Sequence, residues 1–123
     1  LRSLGYCQIQ QKKFVAGVGN LEKSYSLDPN VPLTLLLLGY GNLSLNRYEE
    51  AKQCLQEALK MGPESAARAH IYLAEVYSHE GNFKDAADEV RQYLKAKPDA
   101  ADAARLKEME AQWRARSKAT QKP

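Results

Sequence analysis

Apolar residues recur along this chain with the 3.6-residue period of an α-helix, in segments separated by short polar breaks. The pattern predicts seven helices and no strands. The expected helices cover residues 1–11, 13–27, 31–45, 47–61, 64–80, 83–96 and 99–116. The first six form three pairs, because the breaks "QQKK", "LNRY" and "EGNF" each lie inside a pair and a proline follows each pair.

Three prolines stand at nearly equal spacing, since Pro29, Pro63 and Pro98 are 34 and 35 residues apart. Positions counted backwards from each proline carry the same kinds of residue. An aromatic residue lies fifteen before, a small residue twelve before and an apolar residue eight before. In chain order they are Phe14, Tyr48 and Phe83; Gly17, Ala51 and Ala86; and Leu21, Leu55 and Val90. The period indicates a repeated unit of two helices.

The junction inside each unit also has a recognisable chemistry. Asn46 and Gly81 lie in the breaks and suit the left-handed conformation that ends many helices. The aromatic residue after each break is expected to start the second helix. Small residues on the first helix are expected to let the second helix approach closely. These small residues are Gly5, Gly39 and Ala74.

Together, these features resemble the tetratricopeptide repeat, with three repeats at about 1–29, 30–63 and 64–98. The resemblance implies an all-α fold, a right-handed superhelical solenoid of helix-turn-helix repeats, in which the first helices line a concave groove. The chain departs from the family pattern in a few places. Tyr93 stands where a small residue is usual, and Gln8 and Asn42 stand where an aromatic residue is common.

The stretch "LTLLLLGYGNLSLN", residues 33–46, is then the first helix of the middle repeat. Its apolar run is much shorter than the roughly 20 residues of a membrane helix, so no membrane insertion is expected. Several of its leucines fill packing positions between helices. Leu36, Tyr40 and Leu43 share a different face and are expected to open into the groove.

The predicted groove has an apolar centre with tyrosines and a rim of few charges. It suits an amphipathic helix or an extended apolar peptide of a partner protein, which predicts a scaffold or adaptor module. The partner can also be a second copy of the chain. The expected contact residues are Tyr6, Ile9, Leu33, Leu36, Tyr40, Leu43, Arg68, Ile71 and Glu75. The alternative is a structural or self-association segment of a larger protein, whose groove is filled by its own helix.

One branch of the family grips the C-terminal carboxylate of chaperones with Lys, Asn, Asn, Lys and Arg at fixed groove positions. The matching positions of this chain hold Arg2, Tyr6, Leu37, Arg68 and Tyr72. Both asparagines are missing, and the leucine offers no hydrogen bond. The resemblance therefore does not extend to that activity.

The sequence predicts neither an enzyme nor a cofactor or metal site. "GYGN" lies within a predicted helix and lacks the strand and lysine of a phosphate-binding loop. His79 follows Glu75 by four residues, but two ligands do not make a metal site. His70 is nine residues from His79, so the two histidines cannot lie close together on one helix face. Nucleic acid is not expected as a partner, because no basic stripe runs through the groove.

Charge is distributed unevenly along the 123 residues, whose net charge is +3. From Arg105 onwards there are six basic and two acidic residues, a net +4, so the preceding residues sum to −1. Residues 99–116 are rich in helix formers and lack the repeat pattern. They predict a helix that caps the third repeat. Residues 117–123 are expected to form a disordered basic tail.

The two cysteines, Cys7 and Cys54, do not suggest a disulfide framework, because small secreted folds that need one carry more. Both are expected to be buried, free thiols. The chain starts at Leu1 without a methionine and is interpreted as a piece of a longer protein. The compartment is therefore not predicted, and both the cytoplasm and the periplasm fit.

Overall fold

The computed structural model describes residues 2–121, which form seven α-helices and no strand. This confirms the predicted all-α architecture of paired helices. The predicted start of the first helix at residue 1 lies outside the described residues. The helices are α1 (Arg2–Gln10), α2 (Phe14–Leu27), α3 (Pro32–Ser44), α4 (Tyr48–Met61), α5 (Ala69–His79), α6 (Phe83–Ala96) and α7 (Ala103–Gln121).

The turn inside each helix pair is the same structure repeated three times. Lys12, Asn46 and Gly81 have positive φ angles of 62°, 60° and 78°. In each turn this residue donates its N–H to the carbonyl three residues back, and the next residue donates to the carbonyl five back, at 2.8–3.1 Å. These paired bonds are a Schellman motif, which satisfies the last carbonyls of the first helix. The aromatic residue two positions later is the first residue of α2, α4 or α6, as predicted.

Glycines allow the paired helices to approach closely, as the small-residue pattern predicts. A Cβ atom on Gly5 would lie 2.7 Å from Cγ of Leu21, and one on Gly17 would lie 2.9 Å from Cδ1 of Ile9. A Cβ atom on Gly39 would collide with the side chain of Leu55. A larger residue at these positions therefore requires the facing side chain or the helix that carries it to shift.

Helix contacts divide the chain into two compact units, Leu1–Ala69 and His70–Pro123. In the first unit, α3 packs against α1, α2 and α4. It therefore buries eight of its thirteen residues, which explains why its leucines lie on several sides. The core cluster of this unit is Ile9, Val18, Leu21, Leu35, Leu38, Ala58 and Ala66.

In the second unit, α7 packs along α6. Leu106 of α7 is almost completely buried, at 1% exposure. Arg114 of α7 donates to Asp88 of α6 at 3.0 Å and to Glu110 of its own helix at 2.9 Å. The guanidinium of Arg116 lies 4.4 Å from the ring centre of Phe83, the first residue of α6. Apolar burial and ion pairs together hold α7 on α6.

The start of α5 differs from the prediction. The helix begins at Ala69 rather than at residue 64, and residues 63–68 form turns. The backbone hydrogen bonds there are not those of one regular helix. Ala66 donates its N–H to the carbonyl of Gly62, four residues back, whereas Ala69 donates to that of Ala66, three residues back. The hydroxyl of Ser65 also bonds to the carbonyl of Gly62 at 3.4 Å. A serine side chain that competes for backbone groups favours turns over a regular helix.

Helix α7 also differs from its predicted bounds of 99–116. It begins at Ala103, because residues 99–102 follow the end of α6 in short turns. It continues to Gln121, so the prediction of a disordered tail was wrong for residues 117–121. The contacts of Arg114 and Arg116 with α6 hold this end of the helix, and most residues that follow favour helix. Residues 122 and 123 of the predicted tail lie outside the described residues.

Candidate functional site

A cleft of about 300 Å³ lies between α1 and α3 in the first unit. Arg2 and Tyr6 lie four residues apart on α1, as Leu33 and Leu37 do on α3, so each pair shares one face of its helix. The cleft, called here the α1–α3 cleft, is lined by Arg2, Ser3, Tyr6, Cys7, Leu33 and Leu37.

The α1–α3 cleft presents large apolar side chains to solvent. Tyr6 is 44% exposed and Leu33 is 47% exposed. Leu37 is partly buried and packs against the core beneath the cleft. Arg2 supplies the single charged side chain in the lining and is itself exposed. The arrangement offers an apolar surface with one cation at its edge.

The predicted stripe on α3 is not on the surface. Leu36 is 9% exposed and Leu43 is 6% exposed, so both belong to the buried part of the helix. Tyr40 is partly buried, and its ring meets that of Phe14 edge-on, with 5.9 Å between the ring centres. The expectation that these three residues form an open apolar face was therefore wrong for the two leucines. The face of α3 that opens is one residue further round, at Leu33 and Leu37.

The remaining predicted contact residues divide by burial. Tyr6 and Leu33 line the α1–α3 cleft, whereas Ile9 and Ile71 are buried, each at 5% exposure. Arg68 is partly buried in the turns before α5, and Glu75 is exposed on α5 in the second unit. Leu37 was missing from the predicted set. A signal for Leu37 was present in the sequence, because its position matches a groove position of the carboxylate-gripping branch of the family.

A second cleft lies between α2 and α4, on a different side of α3. Its volume is about 680 Å³, more than twice that of the α1–α3 cleft. Three glutamates stand among its lining residues, and it is called here the acidic cleft. The lining consists of Glu22, Tyr25, Leu35, Leu38, Asn42, Arg47, Glu50, Gln53, Cys54 and Glu57.

The thiol of Cys54 reports the environment inside the acidic cleft. The pKa of Cys54 is raised from 9.0 to about 11, first by burial of the thiol and then by the negative charges of Glu22 and Glu50. Cys54 is partly buried, as expected, whereas Cys7 is exposed, contrary to expectation. Both cysteines are free thiols in the structure.

Polar residues elsewhere form contacts within the fold. Nδ1 of His70 lies 3.1 Å from Oε1 of Glu89, which joins α5 to α6. Within residues 2–121, no group of three or more His, Cys, Asp or Glu side chains could hold a metal ion. No helix in the part of the chain that the structure describes is long and apolar enough to cross a membrane.

Comparison with protein-family models adds an independent observation. The model of the tetratricopeptide repeat matches residues 36–107, which is more than half of the chain. The chain belongs to the tetratricopeptide repeat family. The match includes the repeats around α4 and α6, where the aromatic and small residues recur most clearly. A search of curated proteins found no significant match.

Solved structures of this family superimpose well on the chain. PcrH of Pseudomonas aeruginosa, in complex with the chaperone binding region of PopD, has a TM-score of 0.85 and 24% identity over 94% of this chain and 89% of that one. SycD of Yersinia enterocolitica, with a peptide of the translocator YopD, has a TM-score of 0.86 and 17% identity, covering 94% and 91%. The first repeat domain of Spaghetti (RPAP3), bound to an HSP90 peptide, gives 0.80 and 15%, covering 98% and 90%. At these identities the likeness establishes the fold.

Proposed function

We propose that this tetratricopeptide repeat chain is a protein-interaction module that binds an apolar peptide segment of a partner protein in the α1–α3 cleft. The observation that carries the proposal is the exposure of Tyr6 and Leu33 in one cleft, which Leu37 also lines. Soluble proteins seldom leave such a patch uncovered unless it binds something. An exposed tyrosine in an apolar cleft is also a typical anchor of binding energy.

The similar structures support this choice of ligand. PcrH, SycD and the RPAP3 repeat domain were each solved with a peptide or a binding region of another protein. The size of the cleft fits one or two large side chains of a peptide, since about 300 Å³ is the lower end of the range for ligand pockets. The lone cation of Arg2 suits a carboxylate or a backbone carbonyl at the edge, where charge affects specificity and association rate.

A displayed peptide library, selected on the wild-type protein, provides defined ligands for a test. The affinity of each selected peptide is then measured by fluorescence polarisation for wild type, Tyr6→Ala and Leu33→Ser. Each substitution is expected to weaken binding by about 5- to 100-fold, the range of an anchor residue in an interface. Leu27→Ser is the matched control, because Leu27 is 78% exposed on α2 and does not line the cleft.

Circular dichroism of the variants shows whether the helices are retained. Equal affinity of all selected peptides for wild type and Leu33→Ser would contradict the proposal. So would an equal loss of affinity in the Leu27→Ser control.

A further inference from the structure

Acidic side chains are concentrated in the acidic cleft beyond what the composition of the first unit implies. Residues 1–69 contain eight basic and six acidic side chains, a net charge of +2. Three of the six acidic side chains, Glu22, Glu50 and Glu57, line this one cleft, with Arg47 as its single basic side chain. A net-positive unit therefore presents a negatively charged groove, which raises the local concentration of cationic groups.

Most of the floor between these carboxylates is apolar, although Asn42 of α3 also lines it. Leu35 and Leu38 belong to the core cluster, and Tyr25 and Cys54 pack against it as partly buried residues. The floor is thus the outer surface of the hydrophobic core, with the carboxylates of α2 and α4 along its two sides. The raised pKa of Cys54 agrees with this geometry, since Glu22 on one side and Glu50 on the other both contribute to it.

We propose that the acidic cleft is a second docking surface, which binds a basic amphipathic segment of a partner protein. The apolar side of such a segment covers Tyr25 and the leucines of the floor. Its lysines or arginines lie against Glu22, Glu50 and Glu57. This charge complementarity distinguishes the ligand from that of the α1–α3 cleft, whose lining carries no acidic side chain.

The basic helix of a second copy of this chain suits the cleft less well. Leu106 of α7 is buried against its own unit, at 1% exposure, and Met109 and Trp113 are partly buried. The exposed positions of α7 up to residue 119 are charged residues, alanines and Gln112. That helix would bring cations to the rim but few apolar side chains to the floor.

The probe for the test is a synthetic, fluorescently labelled peptide of leucine and lysine that forms an amphipathic helix. The same peptide with glutamine in place of lysine is its neutral counterpart. Fluorescence polarisation is expected to show that the lysine peptide binds the wild type. Substituting Glu50→Gln and Glu57→Gln together should weaken this binding about fivefold or more. Raising the ionic strength from about 0.05 to 0.3 M should weaken binding to the wild type more than to this double variant.

The matched control is the double variant Glu49→Gln with Glu64→Gln. It removes the same net charge from the same unit, and neither residue lines the cleft. This control and Leu33→Ser, in the α1–α3 cleft, should both bind the lysine peptide as the wild type does. The two proposals can therefore fail separately, because variants of the α1–α3 cleft and of the acidic cleft are measured independently.

Alkylation of the cysteines locates the bound peptide. The lysine peptide should slow the reaction of Cys54, which lines the cleft, several-fold and leave that of Cys7 unchanged, as measured by mass spectrometry of proteolytic fragments. Three results would overturn the proposal. These are equal loss of binding in both double variants, equal binding of the neutral peptide, and self-association of the protein in sedimentation that the Glu50→Gln and Glu57→Gln pair abolishes.

Discussion

Gly39 and Gly19 show how differently two glycines in helices of the same unit can be constrained. A Cβ atom on Gly39 would collide with Leu55 of the partner helix, whereas one on Gly19 would meet no atom within 4 Å. Gly39→Leu should lower the free energy of unfolding by about 1–3 kcal/mol or more, because it overpacks the contact between α3 and α4. Gly19→Ala should leave it unchanged or raise it by up to about 1 kcal/mol through helix propensity. Denaturant melts of both variants measure the difference, and equal responses would contradict the packing described.

The left-handed backbone conformation of Lys12 costs more free energy than the same conformation does for Asn46 and Gly81 in the other two turns. It has a φ of 62° in the position that asparagine and glycine occupy in the second and third turns. Because a side chain with a Cβ atom is disfavoured there, Lys12→Gly should raise the free energy of unfolding by about 0.5–1 kcal/mol. Lys13→Gly is the control, since Lys13 has a φ of −90° and gains no relief. A thermal melt that shows both variants equally destabilised would rule out strain at Lys12.

Residue-level periodicity located the apolar stripe on α3 but did not predict whether that stripe is exposed. The apolar stripe of Leu36, Tyr40 and Leu43 is present, yet both leucines are buried. A stripe read from sequence does not show how many neighbouring helices cover it, and α3 has three within the first unit. Leu36 and Leu37 differ by about 100° around the helix, and this one step decides which of them lines the cleft.

At the scale of the helix, the sequence predicted a boundary well where a short and specific local signal marks it. The starts of α2, α4 and α6 lie within one residue of the predicted 13, 47 and 83, next to the aromatic residue that follows each Schellman turn. No comparable signal marks the start of α5, where turns around Ser65 replace the expected first helical residues. The end of α7 depends on Arg116 and Phe83, which are 33 residues apart, and such a contact follows from the tertiary fold.

The thiol of Cys54 is partly buried and lies one turn of α4 from Glu50, which predicts that it reacts slowly with alkylating reagents. With a pKa of about 11, Cys54 should have roughly 100-fold less thiolate at pH 8 than a thiol at its ordinary value of 9.0. Its alkylation rate should rise about tenfold per pH unit from pH 8 to 10, because only the thiolate reacts. Glu50→Gln should speed the reaction about two- to fivefold by removing one of the negative charges, although burial remains the larger cause.

The same shift sets the direction of a stability change. The folded state holds the Cys54 proton more tightly than the unfolded state does. This contribution to stability is therefore fully present below pH 9 and is lost as the pH rises towards about 11. Mass spectrometry of alkylated fragments at several pH values follows the reaction. A Cys54 that reacts as fast as the exposed Cys7 throughout would contradict the environment described for the acidic cleft.

On the scale of the whole molecule, the basic C-terminal region is a structural part of the second unit. Its net charge of +4 from residue 105 onwards is partly engaged, since Arg114 pairs with Asp88 on α6 and with Glu110 on α7. Arg91 of α6 reaches the same Glu110 at 3.1 Å. The ion pairs are mostly at the surface and contribute little each, so the apolar burial of Leu106, with Met109 and Trp113 partly buried beside it in the sequence, must supply most of the stabilisation.

Removal of α7 tests whether it caps the repeats. A chain that ends at Ala101 lacks the nineteen residues of this helix and uncovers the side of α6 against which Leu106 packs. It should lose more helical signal in circular dichroism than nineteen residues account for. Its melting temperature should fall by about 10 °C or more, because the lost burial exceeds about 2 kcal/mol. A chain that ends at Arg116 is the control, since it keeps Leu106, Arg114 and Arg116, and it should melt close to the intact protein. If the shorter chain lost only the signal of α7 and melted at the same temperature, α6 would be stable without its cover and α7 would not be a cap.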